Sequence, residues 1–210
     1  MSTFNSGHAD FQSDFDLEKV ICVTNRRLFK SQADFLQRLE KIAAAGPRAI
    51  VLREKDMTPE AYEALARKVM AICAKHDVPC ILHQFIEAAQ KLRPAGLHLP
   101  LPLLRRVRAE GKELNFAELG TSCHSVQDVK EAAELGCTYA FAGHIYATSC
   151  KPGLSPRGLT FLREVTSSSD LPVFAIGGLT PARLPEVLAA GAAGGCAMSS
   201  LMKGSLWLRK

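Results

Sequence analysis

No apolar stretch in this chain of 210 residues reaches the roughly 18–20 residues that a membrane span needs. That excludes an integral membrane protein built on spanning helices. No run of Lys or Arg is dense enough for a nucleic-acid footprint, and the net charge of +5 is only a mild basic excess. The first segment, 1–19, is polar with scattered Phe. It lacks the basic start and apolar run of a signal peptide and reads as a loose tail or a short capping segment. The seven cysteines are odd in number and none form C-x-x-C, so neither a paired disulfide framework nor a ribbon-type zinc site is indicated. Cys22, Cys80, Cys123 and Cys196 sit in apolar runs and read as reduced, buried thiols, which places the chain in the cytoplasm. No G-x-G-x-x-G follows the first apolar run, which weighs against an open dinucleotide-binding sheet. No low-complexity linker divides the chain, and its length suits one domain.

What is present is an alternation. Short apolar or β-branched runs at 20–25, 49–54, 79–84, 96–100, 119–124, 139–145, 172–178 and 194–200 are separated by helical patterns. Thr58-Pro59-Glu60 opens one helix, with Thr58 as N-cap and Pro59 in its first turn; Ala61, Leu65, Val69 and Ile72 follow at helical spacing. Thr180-Pro181 reads the same way, and Ser125 is placed to cap the segment carrying Val129, Ala132 and Ala133. Eight strands alternating with helices, each strand apolar on both faces, imply parallel strands with helical crossovers. The fold class is α/β, a single-domain (β/α)8 TIM barrel over 20–203, with 204–210 as a C-terminal tail; an open doubly wound sheet is the alternative. The 146–158 stretch, rich in Pro, Gly and Ser, follows the sixth strand. It therefore lies on the face where barrel enzymes keep their sites, as a candidate lid.

Three strand ends carry candidate chemistry. The seventh ends Ile176-Gly177-Gly178-Leu179-Thr180-Pro181 and the eighth Met198-Ser199-Ser200. Glycine amides, hydroxyls and an adjacent helix start suit a phosphate, and the last two loops are this barrel's usual phosphate site; the bland alternative is a tight turn. The second strand ends Arg53-Glu54-Lys55. Alternation puts the two cations on one face, suited to an anionic group, with Glu54 on the other; a solvated strand end with an ion pair is the alternative. The fifth strand ends Thr121-Ser122-Cys123-His124-Ser125, where an imidazole is placed for proton transfer. A structural role is the alternative for His124, and His83, His98 and His144 compete with it. Cys150 has no visible partner and reads as packing or loop structure.

Taken in order, Gly120-Thr121-Ser122-Cys123-His124-Ser125, Gly143-His144-Ile145-Tyr146-Ala147-Thr148-Ser149-Cys150-Lys151-Pro152-Gly153 and Ala175-Ile176-Gly177-Gly178-Leu179-Thr180-Pro181 resemble the thiamine phosphate synthase and TenI superfamily. Leu52-Arg53-Glu54-Lys55 and Gly96-Leu97-His98-Leu99 match its earlier strands, so the resemblance spans about residues 20–203. It implies one of two activities. Synthases join a pyrimidine pyrophosphate to a thiazole phosphate with magnesium. TenI-type tautomerases aromatise a thiazole carboxylate phosphate by moving a proton.

The chain departs from the synthase pattern at the metal. Where synthases end the third strand Asn-Asp-Arg, it reads His83-Gln84-Phe85; where they follow the fourth with His-x-Gly-Gln-x-Asp, it reads His98-Leu99-Pro100-Leu101-Pro102-Leu103. Magnesium needs hard oxygen ligands, and these positions offer no carboxylate. The stretch Cys150 to Gly158 also looks more like TenI. The resemblance therefore implies a thiazole tautomerase with His124 as catalytic acid and base. Gly177, Gly178, Ser199 and Ser200 would hold the phosphate, and Arg53, Lys55, Thr148 and Lys151 would bind the rest of the substrate or the lid. No metal and no cofactor is expected. The expected partner is a small phosphorylated thiazole, not nucleic acid or membrane, and a homo-oligomer is compatible with this. A synthase with altered metal ligands and a silent thiazole-phosphate-binding barrel are the competing readings.

Overall fold

The computed structural model describes residues 16–148, 153–204 and 206–208. Most of the expected N-terminal tail lies outside the described residues, as do Cys150 and Lys151. Eight strands, β1 (Val20–Val23), β2 (Ala49–Leu52), β3 (Cys80–His83), β4 (Gly96–Pro100), β5 (Glu118–Cys123), β6 (Tyr139–Gly143), β7 (Val173–Ile176) and β8 (Gly194–Ala197), pair in chain order, all parallel, and β8 closes on β1. Helices α1 (Gln32–Ala44), α2 (Pro59–Lys75), α3 (Ile86–Leu92), α4 (Leu101–Ala109), α5 (Val126–Glu134), α6 (Gly158–Ser167), α7 (Leu184–Ala189) and α8 (Ser199–Lys203) fill the crossovers. The chain is a (β/α)8 barrel.

Strand alternation divides the apolar residues into two cores. In β1, Val20 and Cys22 face the helix layer, while Ile21 and Val23 face inward. Inside the barrel Ile21, Val51, Ile81, Phe141 and Phe174 pack with Tyr139 and Cys196, so the lumen is filled rather than open. Each fully buried aliphatic or aromatic side chain contributes roughly 1.5–3 kcal/mol. Among the described residues, no helix is long and apolar enough to cross a membrane.

Helix starts follow local chemistry. The Thr58 hydroxyl accepts from the Ala61 N–H and Pro59 opens α2, while the Ser125 hydroxyl accepts from the Asp128 N–H at the start of α5. Thr180 differs: its side chain caps nothing, and Pro181 opens a single 3-10 turn before the short α7. The expected strand ends at 198–200 also differ. β8 stops at Ala197, and Ser199 and Ser200 are the first two residues of α8. The segment read as a C-terminal tail is not loose where it is described. Trp207 is 1% exposed within the helix-layer core, and its indole N–H donates to the Ser200 hydroxyl at 3.2 Å.

Candidate active site

A cavity of about 470 Å³ opens at the C-terminal ends of the strands. Arg53, Lys55, His124, Thr148, Gly177, Gly178, Ser199 and Ser200 all line it; Lys151 lies outside the described residues. The stretch of sequence from 53 to 200 is thus folded onto one surface, with apolar floor and wall from Pro100, Leu101, Ile176 and Leu179.

The cationic wall follows from alternation at the end of β2. Arg53 and Lys55 reach the cavity, and Glu54 turns the other way and is 2% exposed. Its carboxylate accepts from the Thr24 hydroxyl at 2.6 Å and from the Arg26 N–H at 3.0 Å. Burial pushes the Glu54 carboxyl above its ordinary range, against the pull of those donors. The Thr24 hydroxyl also accepts from the Arg53 N–H at 2.9 Å, so the anchor beneath fixes the backbone of the cation above it. Tyr62 of α2 ties the next strand end in the same way. Its hydroxyl donates to the Leu52 carbonyl at 2.6 Å and accepts from the His83 N–H at 2.9 Å. Neither Thr24 nor Tyr62 carries a sequence signal, because each acts through the backbone of a distant residue.

The glycine turn after β7 presents its amides. The Gly177 carbonyl accepts from the Tyr146 N–H at 3.1 Å and the Gly178 carbonyl from the Arg183 guanidinium at 2.6 Å. Among the described residues, neither glycine N–H donates to a protein acceptor. Both glycines have positive φ, 104° and 65°, and a Cβ on Gly177 would lie 2.3 Å from the Cβ of His144. The turn is therefore both a conformational and a close-packing requirement. α7 and α8 are six and five residues long, so what this corner offers an anion is its open amides rather than a long helix dipole. The Ser200 hydroxyl donates to the Leu179 carbonyl at 2.7 Å, which leaves its backbone N–H as the group to offer.

Four histidines sit near strand ends, and geometry separates them. His98 is 1% exposed, lies beneath the cavity and has both ring nitrogens engaged. His83 is 4% exposed; burial, with the charges of Arg53 and Lys55 behind it, pushes its imidazole down to about 3. His144 is buried, and its Nε2 faces the Leu154 carbonyl at 3.3 Å. His124 alone among these is exposed. Its Nδ1 lies 2.7 Å from the Gly143 carbonyl, which can only accept, so Nδ1 carries a hydrogen and, in the neutral ring, the lone pair is on Nε2. The His124 N–H donates to Asp128 at 2.7 Å, and Asp128 is held at the start of α5 by Ser125. Asp128 and Arg105 were not foreseen as part of the site; Arg105 reaches the rim from α4, paired with Glu131 at 2.5 Å.

The donor set does not suit a hard divalent cation. Asp128 is the one carboxylate on the cavity wall among the described residues. One of its oxygens accepts from His124 and the other lies 3.8 Å from Arg105. Gln84, where the synthase pattern has an aspartate, stands outside the lining at φ 58°. Among the described residues, no group of three His, Cys, Asp or Glu side chains is placed to hold a metal.

The sequence pattern of the family described as thiamine monophosphate synthase, TMP-TENI, matches residues 20–201. The chain belongs to this family. Within it, a putative thiamine-phosphate synthase 2 of Aquifex aeolicus is 32% identical over 165 residues, covering 79% of this chain and 87% of the relative. A thiamine-phosphate synthase of Roseiflexus castenholzii is 31% identical over 189 residues, covering 87% and 80%. A solved thiamine phosphate pyrophosphorylase from Pyrococcus furiosus superposes with a TM-score of 0.76 over 91% of this chain and 90% of that one; at 23% identity it speaks for the barrel fold alone.

Proposed function

We propose that this TMP-TENI chain is a thiamine-biosynthetic enzyme that aromatises a thiazole carboxylate phosphate by proton transfer at His124. The observation that carries the reading is the His124 imidazole. It stands exposed in a cationic cavity, with Nδ1 tied to the Gly143 carbonyl and Nε2 left as a base. Nε2 removes the ring proton of the non-aromatic precursor. The same imidazolium then delivers a proton to the exocyclic carbon, and the ring becomes aromatic. General acid–base catalysis of this kind supplies roughly 10²–10⁴-fold. The open amides of Gly177 and Gly178 suit the phosphate, and Arg53 and Lys55 suit the carboxylate. No step requires a metal, which agrees with the donor set around Asp128. The test is conversion of the non-aromatic precursor to the aromatic thiazole, followed by absorbance. His124→Gln should lose roughly a hundredfold or more in rate; equal rates would remove His124 from the mechanism.

The second reading is a thiamine phosphate synthase, favoured by the names of the relatives. Magnesium-dependent coupling of the pyrimidine pyrophosphate to the thiazole phosphate by wild-type protein would establish it. A third reading, a silent thiazole-phosphate binder, predicts tight binding with neither activity.

A further inference from the structure

The glycine turn after β7 is held by its carbonyls. The Ile176 carbonyl accepts from the Ile145 N–H at 2.9 Å, the Gly177 carbonyl from the Tyr146 N–H at 3.1 Å and the Gly178 carbonyl from the Arg183 guanidinium at 2.6 Å. The first two donors are backbone groups, in place once the chain at 145–146 lies along the turn. The third is a side chain, and it holds the peptide that most needs holding. Gly178 has φ +65° and no side chain to fix it, so the peptide that follows it can rotate at little steric cost.

The place of Arg183 decides what that hold does. Arg183 does not line the active-site cavity; it lines a second hollow with Thr180, Pro181, Lys203 and Trp207. Gly178 and Leu179 line both, so the turn is the partition between them. In a trans peptide the carbonyl and the following N–H point in opposite directions. Arg183 draws the Gly178 carbonyl toward the hollow, and the Leu179 N–H is therefore turned toward the cavity. Among the described residues that N–H, like those of the two glycines, donates to no protein acceptor.

Arg183 is itself braced. It closes the 3-10 turn Pro181–Arg183, where its N–H donates to the Thr180 carbonyl at 3.0 Å. Its guanidinium carbon lies 4.5 Å from the centre of the Tyr146 ring, close enough for attraction to the aromatic face. The Tyr146 hydroxyl donates to Glu186 of α7 at 2.7 Å, which fixes the ring in turn.

We infer that Arg183 is the positioning residue of the anion site. By holding the Gly178 carbonyl it turns the Leu179 N–H into the cavity, where that group joins the Gly177 and Gly178 N–H groups as a third amide for a phosphate. Arg183 acts through the peptide and does not touch the anion. The inference rests on the phosphate reading of the glycine turn and is independent of proton transfer at His124.

Inorganic phosphate is the probe, followed by proton–nitrogen spectra and by calorimetry. In wild type the amide resonances of Gly177, Gly178 and Leu179 should all move on saturation. In Arg183→Met the Leu179 amide should lose most of its response to phosphate, and affinity should fall by roughly tenfold or more, as expected for one lost hydrogen bond to a charged group. Lys203→Met removes a positive charge from the same hollow without touching the turn, and it should keep wild-type affinity. Wild-type affinity in Arg183→Met, or an equal loss in Lys203→Met, overturns the inference. The wild-type spectra decide even if Arg183→Met does not fold: a Leu179 amide that stays still while the glycine amides move also overturns it. Wild-type protein that binds no phosphate refutes the anion reading of the turn itself, and the inference falls with it.

Discussion

A methyl group on Gly177 separates a ligand cradle from a mere turn. At φ +104° an L-residue is strained by roughly 1–3 kcal/mol. The new Cβ would also lie 2.3 Å from the Cβ and 2.8 Å from the Cα of His144, about 1 Å short of ordinary van der Waals contact near 3.5 Å. His144 is poorly placed to yield. It is buried, its carbonyl accepts from the Arg157 N–H at 3.0 Å, and its ring faces the Leu154 carbonyl. The glycine turn must therefore move by about as much and carry both amides out of line. A hydrogen bond to a charged group contributes roughly 1.5–3 kcal/mol, so losing one lowers affinity by roughly tenfold to a hundredfold. Titration calorimetry with inorganic phosphate should show that loss in Gly177→Ala, together with a lower melting temperature. Gly46→Ala is the control: it has φ +69° and nothing within 4 Å of the added Cβ. It should lose stability from the same backbone strain and keep its phosphate affinity. Wild-type phosphate binding in Gly177→Ala, or an equal loss in Gly46→Ala, would refute the cradle.

Glu54 gives a prediction in pH. Its carboxyl is raised above 4.5 chiefly by burial, so its contribution to stability is whole below 4.5 and is lost as pH rises through the folded value. Melting curves from about pH 4 to 7 should show wild type falling relative to Glu54→Gln as pH rises; parallel curves would contradict the burial account. His83 is held neutral by its descent to about 3, so His83→Gln should keep the shape of the pH–rate profile between about pH 5 and 8. A displaced limb would mean that His83 takes part in proton transfer. Trp207→Ala should cost roughly 3–5 kcal/mol in urea unfolding, as a buried indole is lost from the helix-layer core. Unchanged stability would show that 204–210 is a tail after all.

The barrel was legible because each strand is apolar on both faces and each crossover repeats the pattern, so eight units could be counted without knowing any contact. The Arg53, Glu54 and Lys55 arrangement was legible for the same reason: alternation is a local property. The ends of elements were not. Ser199 and Ser200 read as strand because such small polar residues carry no helical signal; the end of the short α8 that they open is held by Arg38 of α1, which donates to the Leu201 and Gly204 carbonyls. Thr180 and Thr58 precede proline alike, yet only Thr58 caps. Trp207 looked like part of a tail because its pocket is assembled from other elements. Among four histidines, residue type and position could not choose. Burial chooses, and burial is a property of the whole fold. Thr24 and Tyr62 fix the strand ends at the site through hydrogen bonds spanning 29 and 21 residues, and no short motif records such pairs.

The most direct measurement is the rate at which metal-stripped wild-type protein, held in excess chelator, converts the non-aromatic thiazole carboxylate phosphate to the aromatic product. Proton transfer by His124 alone predicts the same rate with chelator as with added magnesium. A rate that vanishes in chelator and returns with magnesium would contradict it.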